Sequence, residues 1–135
     1  MKRILFLICF ITCLYCNISA EQNAGYCKIA GTINDYVQAT ANLNAIGGGT
    51  ISGNIIISNS SSKPLMSLHI YVTAEVETFV LDSRNGNHNE WNTVTIYNSY
   101  YTKKIPAYSS ESINVSCDGN KIRNISVTVS NATCN

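Results

Sequence analysis

Charge is scarce in this 135-residue chain, at 13% of residues, and proline and tryptophan are scarcer, with two and one. Nine basic and eight acidic residues leave no cationic surface for a nucleic-acid backbone. Beyond the first twenty residues no CxxC pair or Cys/His spacing suits zinc, so no metal or other cofactor is expected. His69 and His88 stand in separate contexts with no Ser or Cys nucleophile motif beside them, and no catalytic triad is indicated. Beyond the first twenty residues no segment approaches about 18 continuous apolar residues, which excludes a later spanning helix. No stretch carries a convincing helical period.

What is present begins with a targeting segment. Residues 1–20 place Lys2 and Arg3 before an apolar run from Ile4 to Cys16, then end in Asn17-Ile18-Ser19-Ala20, the layout of a secretory signal peptide. The run is too short to span a membrane. A lipid anchor at Cys16 is disfavoured because Tyr15 sits where such sites want a small residue. Residues 21–135 then form a single secreted, extracellular domain large enough to bury a real core. In it seven basic residues face eight acidic ones, a net charge of about −1.

Cys9, Cys13 and Cys16 leave with the signal, so Cys27, Cys117 and Cys134 permit one bridge and one free thiol. In an oxidising compartment a Cys27–Cys134 bridge would staple the two ends of the mature chain. Cys117 shares its parity with Ile113 and Val115 and reads as a small buried hydrophobe; a Cys117–Cys134 bridge is the competitor. Within residues 21–135 four glycosylation sequons start at Asn59, Asn114, Asn124 and Asn131. Asn114 and Asn124 lie on parities opposite to Ile113/Val115 and Ile125/Val127, hence outward.

Alternation with a period of two dominates the rest. It runs through Ile29, Gly31 and Ile33 and is interrupted at Asp35-Tyr36. After the Gly47-Gly48-Gly49 turn signal it returns through Ile51, Gly53, Ile55 and Ile57. It reappears as Met66, Leu68, Ile70 and Val72 inward against Ser67, His69, Tyr71 and Thr73 outward, with a weak continuation to Phe79 and Leu81. Asp82–Glu90 is a polar loop holding an Asn85-Gly86 turn. Trp91 to Cys117 carries two strands, through Val94 and Ile96 and through Ile113 and Val115, around an aromatic connection broken at Ile105-Pro106. Asp118-Gly119 leads to a last strand with Ile125, Val127 and Val129 on one parity. About seven short strands with polar turns predict an all-β chain, an antiparallel β-sandwich of immunoglobulin-like or jelly-roll-like type, with a closed barrel as the alternative.

This layout resembles the carbohydrate-binding modules of the family 2 and family 49 type over nearly the whole mature chain. The similar features are Cys27 opening the first strand, Cys134 closing the last, and Ile55-Ile56-Ile57-Ser58-Asn59-Ser60-Ser61 for the family's V-T-V-T-N-x-x strand. Thr93-Val94-Thr95-Ile96-Tyr97-Asn98-Ser99-Tyr100-Tyr101 is similar to its V-T-x-x-N-x-x-aromatic strand, and Ile105-Pro106-Ala107 with Ser109 to its L/I-P-x-G-x-S turn. The resemblance implies a non-catalytic module that binds cellulose-like β-glucan through a row of exposed aromatics, which by position fall on Tyr36, Trp91 and Tyr101. The family favours Trp at such places, and Tyr108 replaces its turn glycine, which makes a positive φ more costly there.

Other residues have plainer readings. Glu75 and Glu77 are neighbours on one strand face, not carboxylates straddling a bond as a glycosidase needs, and read as a solvated face. Asp82, Asn85, Asn87, Asn89 and Glu90 do not fit a calcium-loop spacing and read as a turn. Besides a polysaccharide-binding module, a structural or adhesive extracellular glycoprotein that contacts other proteins fits the same sandwich.

Overall fold

The computed structural model describes residues 36–135, and the expected signal peptide and Cys27 lie outside them. All regular structure in this span is strand: β1 (Val37–Gly47), β2 (Thr50–Asn59), β3 (Leu65–Val80), β4 (His88–Tyr101), β5 (Ser109–Asp118) and β6 (Lys121–Cys134). Every pairing is antiparallel, in two three-stranded sheets ordered β1-β2-β5 and β4-β3-β6. Among the described residues the sheets remain separate ladders, the arrangement of a sandwich and not of a closed barrel. No helix among the described residues is long and apolar enough to cross a membrane.

The central strands show why these sequences pair face to face. β2 turns Ile51, Ile55 and Ile57 inward and β3 turns Leu68, Ile70, Val72 and Val76 inward, all fully buried. The flanking strands contribute half-buried side chains, among them Ile113 and Val115 from β5 and Val127 and Val129 from β6. Alternation therefore places one face of each strand in a shared core and the other in water. The β1–β2 hairpin closes on Gly47, Gly48 and Gly49, with φ of 92°, 63° and 75°, values that side chains with a Cβ resist. Gly53 has no Cβ because one would strike the backbone of Asn42 on β1.

Bulges decide which side chains leave this pattern. Between Leu65 and Ser67 the β3–β6 register slips, so Leu65 is buried and Met66, expected inward, is exposed. β6 carries one extra residue between Arg123 and Ser126 and another between Ser130 and Thr133. Asn124 and Asn131 take the left-handed backbone there, each with φ 51°. Ile125, just past the first of these bulges, keeps the parity of Val127 and Val129 but is 37% exposed on this edge strand. β1 is a strand that the sequence reading passed over at Tyr36: its inward residues alternate Val37, Ala39, Ala41 and Leu43, and two alanines give a weak signal.

Asn59 requires a correction. Read as a glycan acceptor, it is only 1% exposed. Its Nδ2 donates to the carbonyls of Lys63, Ile105 and Pro106 at 2.9, 3.3 and 3.1 Å. Its Oδ1 accepts from the Ser61 N–H and hydroxyl at 3.1 and 2.7 Å. The side chain ties the β2–β3 loop to the Ile105-Pro106 segment, itself bound to β3 by a reciprocal Leu65–Ile105 backbone pair. An amide consumed in this way has no room for a sugar.

Cys117 is a free thiol, half-buried against Leu43, Ile51 and Val76, and burial raises its pKa. Cys134 is disulfide-bonded. Cys117 pairs with Ile51 at one end of the sandwich, whereas Cys134 pairs with Leu65 at the other.

Candidate functional site

The outer face of the β4-β3-β6 sheet collects most of the exposed aromatic surface. Its rows follow from the register. Glu77 lies between Trp91 and Lys121, Glu75 between Thr93 and Arg123, and Thr73 between Thr95 and Ser126. Farther along, Tyr71 lies between Asn98 and Thr128, and His69 between Tyr100 and Ser130. Trp91, Tyr71 and Tyr100 are 36%, 39% and 53% exposed, and Phe79 continues the face beyond Trp91. Six residues of β3 separate the Trp91 row from the Tyr71 row, about 20 Å at strand rise. The face thus has an aromatic group at each end and a polar band between.

At the Trp91 end the ring is held by charge. The Arg123 guanidinium lies 4.0 Å from the ring centroid, a cation–π contact. Glu75 Oε2 accepts from Arg123 Nε at 2.6 Å and from Asn124 Nδ2 at 2.8 Å. The Arg123 hydrogen bond, with that of Asn124 next, holds the Glu75 carboxyl below its ordinary value of 4.5. Glu77, expected on a solvated face, is instead 6% exposed, with Lys121 Nζ 2.9 Å from its Oε2. That oxygen has no aligned hydrogen bond, so the Lys121 contact is an ion pair alone. Both carboxylates serve cations of β6, and the strand places them side by side.

At the other end His69 orders a tyrosine. Its Nε2 meets Asn98 Oδ1 at 2.9 Å and its Nδ1 meets Ser130 Oγ at 3.3 Å. The imidazole and Tyr100 rings lie 4.9 Å apart, tilted by 54°. Asn131 Nδ2 donates to the Tyr100 hydroxyl at 3.1 Å.

The three ring positions inferred from the sequence therefore separate. Trp91 is on this face. Tyr101 pairs with Leu68 on the inward parity and packs against the core, where burial raises its phenol pKa. Tyr36 precedes β1 in the other sheet, its carbonyl accepting the Ser60 N–H at 2.7 Å. The row of Tyr36, Trp91 and Tyr101 does not exist as one surface. Tyr71 and Tyr100 take the missing places. Tyr71 was legible as outward in its strand, while Tyr100 depended on a bulge: β4 has one extra residue against Val72-Thr73, which turns both Ile96 and Tyr97 inward and reverses the parity beyond.

The 82–90 segment is a self-contained turn entering β4. Asp82 Oδ1 accepts the N–H groups of Arg84 and Asn85 at 2.8 and 3.1 Å, and its Oδ2 accepts Asn85 Nδ2 at 2.9 Å. These bonds, led by that from Arg84, lower the Asp82 pKa. Among the described residues no group of three or more His, Cys, Asp or Glu is arranged to hold a metal. No protein family, curated protein or solved structure matches this chain.

Proposed function

We propose that this protein is a secreted, non-catalytic polysaccharide-binding module that lays cellulose-like β-glucan chains along the outer face of the β4-β3-β6 sheet, in an extracellular coat, matrix or wall. The observation that carries this reading is the exposure of Trp91, Tyr71 and Tyr100 on one sheet face, with Thr, Ser and Asn side chains between them. The resemblance to the family 2 and family 49 type of carbohydrate-binding module, with its immunoglobulin-like or jelly-roll-like sandwich, supports it as well. A sugar ring offers an apolar face of C–H groups that a planar aromatic covers. Half of an aromatic's roughly 150–250 Å², at roughly 25 cal/mol/Å², gives about 2–3 kcal/mol gross per ring. Association costs at least about 4 kcal/mol, so one ring is insufficient and three along a polymer suffice, with repeated sites raising apparent binding.

The test is depletion of the mature protein onto insoluble cellulose, with chitin as comparison. Trp91→Ala, Tyr71→Ala and Tyr100→Ala are each expected to weaken binding by about tenfold to a hundredfold, or about 1–3 kcal/mol. Tyr36→Ala is expected to leave binding unchanged. No detectable binding by the parent protein would hand the function to the structural or adhesive glycoprotein reading, which the exposed sequons at Asn114, Asn124 and Asn131 favour.

A further inference from the structure

We propose that N-glycans on Asn124 and Asn131 lie across the aromatic face and that their occupancy sets how much of it is open to a polysaccharide, an inference that rests on the polysaccharide-binding reading. Both asparagines are exposed on β6, an edge strand of the sheet that bears the face. In each, the amide nitrogen that would carry the sugar already reaches onto the face. Asn131 Nδ2 donates to the Tyr100 hydroxyl at 3.1 Å. Asn124 Nδ2 donates at 2.8 Å to Glu75, the carboxylate that also grips Arg123 against Trp91. The two anchor points therefore stand beside the two aromatic ends of the row.

A plainer account of these asparagines is their backbone. Each has φ 51° in a bulge, and Asn tolerates that conformation better than other residues with a side chain. The bulge accounts for Asn but not for the hydroxyl two residues on, which both positions carry as Ser126 and Thr133. In the coupling, Nδ2 forms a bond to the reducing-end carbon of an oligosaccharide linked to a lipid pyrophosphate. It releases the lipid pyrophosphate and loses one proton. One N–H remains on the nitrogen and keeps the bond to the Tyr100 hydroxyl or to Glu75, so the first sugar takes the other N–H direction, beside these groups. From there its C–H face lies next to the rings that a polysaccharide would use. The sequon at Asn114 provides an internal contrast: Asn114 pairs with Asn54 in the other sheet, on the opposite side of the sandwich.

The experiment uses the full chain secreted from a eukaryotic cell that attaches N-glycans. Ser126→Ala and Thr133→Ala remove the two sequons while keeping both asparagines, and Ser116→Ala removes the one at Asn114. Enzymatic glycan removal from folded wild-type protein gives the same contrast without substitution, which matters because Thr133 also hydrogen-bonds Ser67. Stripping the glycans of Asn124 and Asn131 is expected to tighten cellulose binding by about tenfold, the equivalent of one ring's contact, whereas Ser116→Ala leaves it unchanged. Two readouts need no ligand: acrylamide quenching of Trp91, the only tryptophan, and nitration of Tyr100 mapped by mass spectrometry, both expected to rise when the glycans are removed. Empty sequons at both sites, or occupied sequons with unchanged quenching and nitration, would overturn the proposal. Accessibility that rises while no form binds cellulose would support the glycan cover and overturn the polysaccharide reading instead.

Discussion

Replacing Asn59 tests whether the β2 end is held by one side chain. Asn59→Ala removes two N–H donors shared among three carbonyls and an oxygen that accepts twice from Ser61. Two of those carbonyls keep other donors: Lys63 O has the Ser61 hydroxyl, and Ile105 O has the Leu65 N–H. The net loss is thus nearer three bonds than five, about 3 kcal/mol at about 1 kcal/mol each. For a domain of this size that lowers Tm by roughly 12–24 °C. Asn59→Asp keeps the acceptor for Ser61 but turns a second oxygen toward the three carbonyls. Burial and that repulsion raise the new carboxyl's pKa, so its penalty is smallest when protonated and grows as pH rises. Urea unfolding followed by circular dichroism at acid and neutral pH measures both variants. An Asn59→Ala protein within about 0.5 kcal/mol of the parent, or an Asn59→Asp protein as stable as the parent at neutral pH, would refute the argument.

Trp91 emission should report the Glu75–Arg123 clamp. The Glu75 pKa is lowered below 4.5 in the fold, so its contribution is present at neutral pH and disappears as pH falls through that depressed value. Fluorescence is expected to change in that acid range and to stay flat in Glu75→Gln; an equal change in the variant would remove Glu75 from the account. Tyr108 is 74% exposed with φ 56°, the conformation that its missing glycine made costly. Tyr108→Gly should therefore gain about 0.5–1 kcal/mol, the left-handed strain less glycine's extra freedom when unfolded, and a lower melting temperature would contradict this. A non-reduced digest should link Cys134 to Cys27, while Cys117 alkylates slowly until the chain unfolds, its pKa raised by burial. A Cys117–Cys134 peptide would defeat the placement of those residues at opposite ends of the sandwich.

The sequence by itself determined the all-strand character, the glycine hairpin and the inward faces of β2 and of β3 from Leu68 to Val72. A period of two needs only local alternation, and these runs have it without interruption. What only the tertiary structure decided lies beyond the bulges. A strand pattern assigns faces until one residue is inserted, and whether a residue is inserted depends on how the neighbouring strand pairs. The extra residue in β4 exchanges Tyr100 for Tyr101 on the outer face, and the register slip after Leu65 leaves Met66 exposed. Asn59 and Glu77 show the same limit for polar groups. Each looks solvated in a linear reading, yet Asn59 is buried among carbonyls brought from about forty-six residues away in the chain, and Glu77 lies between Trp91 and Lys121 on strands that only pairing makes adjacent. Burial and charge pairing depend on neighbours in space, and local alternation carries no record of them.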